Sequence, residues 1–155
     1  MIIIMEQEGV TALDVAAYIL EKQLDNLTAI KLQKLVYYSQ AWYLAWQDSP
    51  LFKDKIEAWV NGPVVKNLYE AHRGKYFLTA GDIAGDPEKL SDNQKQIIDL
   101  VCERYGHLNG AQLSELTHSE GPWQDARQGL EPDEPSCKEI SLESIEAYYQ
   151  AKLSS

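Results

Sequence analysis

The chain has 155 residues, 45% hydrophobic and 25% charged, the balance of a soluble globular domain with a single core. Its 14 basic and 24 acidic side chains leave a formal charge of −10. A field of that sign repels phosphate backbones and anionic lipid surfaces, which excludes nucleic acid and membranes as first partners.

The acid is concentrated late in the chain: residues 1–78 hold 8 Lys/Arg against 9 Asp/Glu, whereas residues 79–155 hold 6 against 15. Either a solvated surface or a docking face for a basic partner suits such a half. Cys102 and Cys137 stand in no disulfide, zinc or redox spacing, as expected of a protein in a reducing cytoplasm. The opening MIIIMEQEG lacks a basic n-region and a cleavage pattern, so it does not read as a signal peptide. The start is Met1 or Met5, and residues 2–4 form an upstream extension or a short edge strand.

Thr11 and Asp14 set a T-x-x-D start for the first helix, whose core face is Val15, Ala16, Ile19 and Leu20. Thr28 caps a second helix that runs to about Gln47 and stops at Asp48-Ser49-Pro50. Five of the fifteen aromatic residues lie on it: Tyr37, Tyr38, Trp42, Tyr43 and Trp46. At 100° per residue its apolar side chains occupy two faces. Its polar residues form two thin strips, Gln33, Gln40 and Gln47 on one flank and Lys31 with Lys34 on another. The pattern predicts a helix packed between layers, and its polar content argues against a membrane span.

LFKDKIEAWV, residues 51–60, predicts a small β-hairpin or extended arm. Asn61-Gly62 then turns the chain, and Pro63 is placed to start a third helix with Val64, Leu68 and Ala71 on its buried edge and Gly74 as its stop. The Gly-, Asp- and Pro-rich residues 79–91 predict an exposed loop. A helix follows Ser91, with Ile97, Ile98, Val101 and Tyr105 inward and Gly106 at its end. After it come a shorter helix in GAQLSELTHSE, the GPWQDARQG segment, a proline-rich loop, and a last helix from Ser141 carrying Leu142, Ile145, Tyr148 and Tyr149. The fold class is mostly α: a compact helical domain around the aromatic-rich second helix, with a hairpin or short antiparallel strands near residues 51–60.

Chemistry is scarce. In Thr117-His118-Ser119-Glu120 the neighbouring side chains diverge at a helix end, so His118 reads as a cap for carbonyls rather than a catalytic base. No H-E-x-x-H, C-x-x-C, G-x-G-x-x-G or Walker pattern occurs, so no catalytic, cofactor-binding or metal residues are assigned. The candidate partner-binding residues are Trp46, at the end of the second helix toward the hairpin, and the SEGPWQDAR block. There Gly121-Pro122 interrupts helix and presents Trp123 within a charged rim of Glu120, Asp125 and Arg127.

Three ordered blocks carry a resemblance: K-L-Q-K-L-x-Y-Y at residues 31–38, I-E-A-W-x-x-G-P-V-V at 56–65, and T-H-x-E-x-P-W at 117–123. Together they resemble the Panacea domain of the SocA/GepA-like group, often labelled phage-associated proteins, over residues 11 to about 150. The resemblance implies one domain spanning the chain and a type II antitoxin that neutralises a cognate protein toxin by direct binding. The family faces toxins of many unrelated kinds, and many members add a DNA-binding segment. This chain shows no separate helix-turn-helix, and no nucleic acid, membrane or cofactor is expected of it. Leu32, Leu35, Tyr38, Trp42 and Trp59 read as shared core. The alternatives are a proteolytic adaptor or regulatory scaffold delivering a client to a protease, and a hydrolase centred on His118 and Glu120. Homo-oligomer formation is left open.

Overall fold

A computed structural model describes residues 9–25 and 27–154; the residues 2–4 strand reading lies outside them. The described elements run α1 (Ala12–Glu21), α2 (Ala29–Gln47), β1 (Ile56–Trp59), β2 (Gly62–Val65), α3 (Lys66–His72), a 3-10 turn (Pro87–Lys89), α4 (Asp92–Tyr105), α5 (Gly110–His118), α6 (Gly121–Ala126) and α7 (Leu142–Leu153). The class is mostly α with one antiparallel two-stranded sheet, as the sequence predicts. Among the described residues no helix is long and apolar enough to cross a membrane.

The caps follow from the sequence. Thr11 and Asp14 close a capping box on α1, Ser91 and Gln94 close one on α4, and the hydroxyls of Thr28 and Ser141 accept from amides in the first turns of α2 and α7. Asp48 ends α2 in the left-handed conformation. The two apolar faces of α2 are covered by α1, α4, α5, α7 and the hairpin, and every residue from 31 to 45 is buried. The polar strips therefore have no water to face, except at Gln47, which is exposed.

Three local expectations change. The hairpin spans Ile56–Val65, pairing Ile56 with Val65 and Trp59 with Gly62. Pro63 and Val64 are thus strand residues, and α3 begins only at Lys66. Proline is tolerated there because its missing N–H falls on the side of β2 turned away from β1. On α3, His72 is buried while Ala71 is exposed. In residues 79–91, Ile83 and Leu90 are buried. This loop is also tied to α1, since Asp86 N–H donates to Asp14 Oδ1 at 2.8 Å. Gly85 lies so close to Leu13 O that a Cβ would stand 2.1 Å from it.

Candidate functional site

The three sequence blocks meet on the hairpin. Gln33, one turn into α2, takes both outward backbone groups of Val65: its Oε1 accepts from Val65 N–H at 2.8 Å, and its amide donates to Val65 O at 3.2 Å. The same amide lies 3.0 Å from His72 Nε2. That nitrogen must then accept, which assigns the proton of a neutral ring to Nδ1. Burial lowers the His72 pKa, in keeping with a neutral ring. Lys34 donates to Pro63 O at 3.1 Å. Gly62, at φ +118°, leaves the space that the lysine stem fills: a Cβ there would stand 2.6 Å from Lys34 Cε and 2.8 Å from Thr117 Oγ1.

The other strand is held from α6 and the chain beyond it. Trp123 Nε1–H donates to Trp59 O at 2.8 Å, and Arg127 Nη1 donates to Ala58 O at 2.9 Å. Arg127 Nη2 reaches Glu131 O and Glu134 O, which fixes the proline-rich loop. Ala58 N–H donates to Lys138 O and Ile140 N–H to Ile56 O, so residues 138–140 run along β1.

This geometry revises the expected partner rim. Gly121-Pro122 opens α6 rather than interrupting helix, because a first-turn proline needs no amide. Trp123 therefore sits on a helix, half-buried, with the His118 ring stacked on it at 4.1 Å. Glu120 and Arg127 are both buried instead of forming an exposed rim. Glu120 Oε1 accepts from Tyr38 Oη at 2.9 Å and Tyr149 Oη at 2.7 Å. Burial raises the Glu120 pKa, and the two hydroxyls oppose that shift. Asp125 is exposed.

His118 does not cap the carbonyls of its own helix end: the backbone group beside its ring is that of Val60 in the hairpin turn, and its Nε2 is buried without a hydrogen-bond partner among the described residues. Burial lowers its pKa, and nearby Lys34 adds to the shift. Its ring engages Trp123 while Glu120 engages tyrosines, so the two do not assemble as a base and acid. No group of three or more potential metal ligands occurs among the described residues.

Trp46 is 41% exposed. It lies in a groove with Trp42, Leu100, Arg104, Lys152 and Leu153, between α4 and α7 rather than toward the hairpin. Leu32, Leu35, Tyr38 and Trp42 are core, whereas Trp59 is half-buried and packs edge-on to Tyr69 at 4.8 Å.

Two features escaped the sequence reading. One is a cavity of about 440 Å³ between α2, the hairpin and α3, walled by Ile30, Trp59, Val60, Val64 and Tyr69, with Gln33, Lys34 and His72 also lining it. The other is an exposed apolar patch beside it, where Tyr76 (67% exposed) and Phe77 (62%) join Ile30. The signal for the cavity floor was present: polar strips on a helix predicted to lie between layers must find protein partners. The Tyr76-Phe77 pair carries no periodicity that marks it as exposed.

No curated protein and no solved structure matches the chain. Residues 32–124, however, match the family described as antitoxin SocA-like, Panacea domain. Gln33, Lys34, the whole hairpin, Thr117 and Trp123 fall inside that stretch, and Arg127 lies just beyond it. What the matched stretch encodes is the clamped hairpin and the helix that clamps it, and by that match the chain belongs to the SocA-like antitoxin family built on the Panacea domain.

Proposed function

We propose that this protein is an antitoxin that neutralises a cognate protein toxin by binding it directly and covering its active site or substrate entrance. Family membership supports an antitoxin role. The observation that carries the binding mode is the grouping of exposed apolar side chains. The exposed large hydrophobics among the described residues fall on two patches, Ile30 with Tyr76 and Phe77, and Trp46 with Leu100 and Leu153. Contiguous apolar surface of this kind on a highly charged domain marks protein contact. The Tyr76-Phe77 patch, with the more exposed rings, is assigned the toxin; Trp46 and Asp125 remain accessible to a second contact. Glu120, Trp123 and Arg127 act on binding indirectly, by holding the hairpin and α6 in place.

The test is co-expression with the product of the neighbouring reading frame. A stoichiometric complex and restored growth are expected, both weakened by Tyr76→Ala with Phe77→Ala in a folded protein. Absence of complex and rescue would refute the antitoxin reading. A protease-dependent fall in the partner's half-life would favour the adaptor reading.

A further inference from the structure

Below about pH 7 the cavity beside the hairpin holds a charge that its own chain does not balance. Lys34 is 1% exposed. It takes part in none of the ion pairs among the described residues, and its hydrogen bond is to the carbonyl of Pro63. Three N–H donors thus meet one acceptor. Burial alone pushes its pKa down to about 7, with no neighbouring carboxylate raising it. Of the other polar side chains lining the cavity, Asn61 and Cys137 are exposed and Ser136 half-buried, while the two buried ones are committed. Gln33 serves both backbone groups of Val65 and the ring of His72, and His72 Nε2 is occupied as an acceptor.

The walls are of another kind. Ile30, Trp59, Val60, Val64 and Tyr69 offer apolar surface, and the indole N–H of Trp59 is already bonded to Glu57 Oε1 at 2.7 Å. A volume of about 440 Å³ lies within the range of small-molecule sites, which combine apolar walls with a few placed polar groups. A phosphate would bring more charge and more acceptor oxygens than one ammonium can serve. A single carboxylate matches it.

We propose that this cavity binds a small apolar molecule bearing one carboxylate, with its body against Trp59, Val64 and Tyr69 and its anionic head on the ammonium of Lys34. The inference is independent of the antitoxin reading: it concerns a free ligand, and its test needs no toxin. A purely structural lysine, present to fill the hollow at Gly62 and bond Pro63 O, is the competing explanation, and it predicts no anion preference.

The experiment is calorimetric titration of the full chain at about pH 6 with 3-phenylpropionate and with its neutral isostere 3-phenylpropionamide. The acid is expected to bind, and the amide about tenfold or more weaker, the discrimination of one charge-assisted hydrogen bond. Lys34→Met should abolish that preference in a protein that still melts cooperatively. Ile30→Trp, placed at a half-exposed wall where a larger ring is tolerated, should weaken both ligands and gives a second test should the lysine variant misfold. Equal binding of acid and amide would overturn the proposal, as would no binding of either at millimolar concentration. A toxin complex lost with Lys34→Met while free acids fail to bind would also overturn it, assigning the cavity to an acidic side chain of the protein partner.

Discussion

The two halves of α2 are equally buried yet hold the molecule by different means. In the first half Lys31, Gln33 and Lys34 reach outward to backbone. Lys31 Nζ donates to Asp25 O and Gly106 O, Gln33 pairs with Val65, and Lys34 bonds Pro63. In the second half rings dominate. Tyr38 stacks on Tyr105 at 4.1 Å, Trp42 donates to the Tyr105 hydroxyl at 2.8 Å, and Tyr149 meets Tyr37, Tyr38 and Trp42 edge-on. Gln40 extends the polar device toward the ring half by bonding Leu51 and Phe52. Ring burial supplies most of the free energy, being large in area and tolerant in detail. Directed bonds to carbonyls contribute less net stability, but they select one path for the loops and one register for the hairpin.

That division orders the expected effects of mutation. Tyr38→Ala, in the ring half, should cost the most, about 4 kcal/mol in urea unfolding, from the cavity left and the loss of one donor to Glu120. Gln33→Leu should cost about 2–3 kcal/mol and, unlike Tyr38→Ala, should selectively speed amide exchange at Val65. Comparable whole-molecule exchange in both variants would erase the distinction between the halves.

Lys34→Met should change stability by no more than about 1 kcal/mol, since relief of a buried amine is offset by leaving Pro63 O without its donor. The sign with pH follows from the lowered amine pKa. Between about 7 in the folded protein and the ordinary lysine value, the unfolded chain binds more protons, so stability should rise as pH climbs from 7 toward 9. The raised pKa values of the buried tyrosines oppose this only above about 10. Equilibrium melts across that window should slope upward for the parent chain and less steeply for Lys34→Met, where Lys31, its pKa also lowered by burial, keeps part of the rise and Cys102, pushed up to about 11, opposes it toward pH 9. The smallest effect belongs to the surface: Tyr76→Ala should change stability by less than about 0.5 kcal/mol, and Trp46→Ala, whose ring is partly covered by Trp42, by about 1 kcal/mol. A larger loss would show that those side chains belong to the core.

Much of the ring half was legible beforehand, because helical periodicity and caps act over a few residues. Thr11, Thr28, Ser91 and Ser141 are short-range signals: the first two cap as read, and the helices placed at Ser91 and Ser141 begin there with those residues as caps. The polar half depends on contacts that cross the chain. Pro63 carries the same local signal at a helix start and on a protected strand edge, and what decides between them is Gln33, 32 positions away from Val65. Glu120 and Arg127 read as rim because charged residues are rarely buried. Their partners are Tyr38, 82 positions from Glu120, and Ala58, 69 positions from Arg127. No window of sequence contains both ends of such a bond.

The clamps on the hairpin also limit how anything else can join it. The outward carbonyls of Ile56, Ala58, Pro63 and Val65, and the amides of Ala58 and Val65, are all engaged within the chain, and Pro63 has no N–H to lend. Neither strand therefore offers a template on which a foreign strand could align. Extension of the sheet, whether by a binding peptide or by a second copy growing toward a fibril, would first have to displace those bonds. Any partner is thus left to be recognised by side-chain surface, with the small sheet protected from the kind of pairing that does not discriminate.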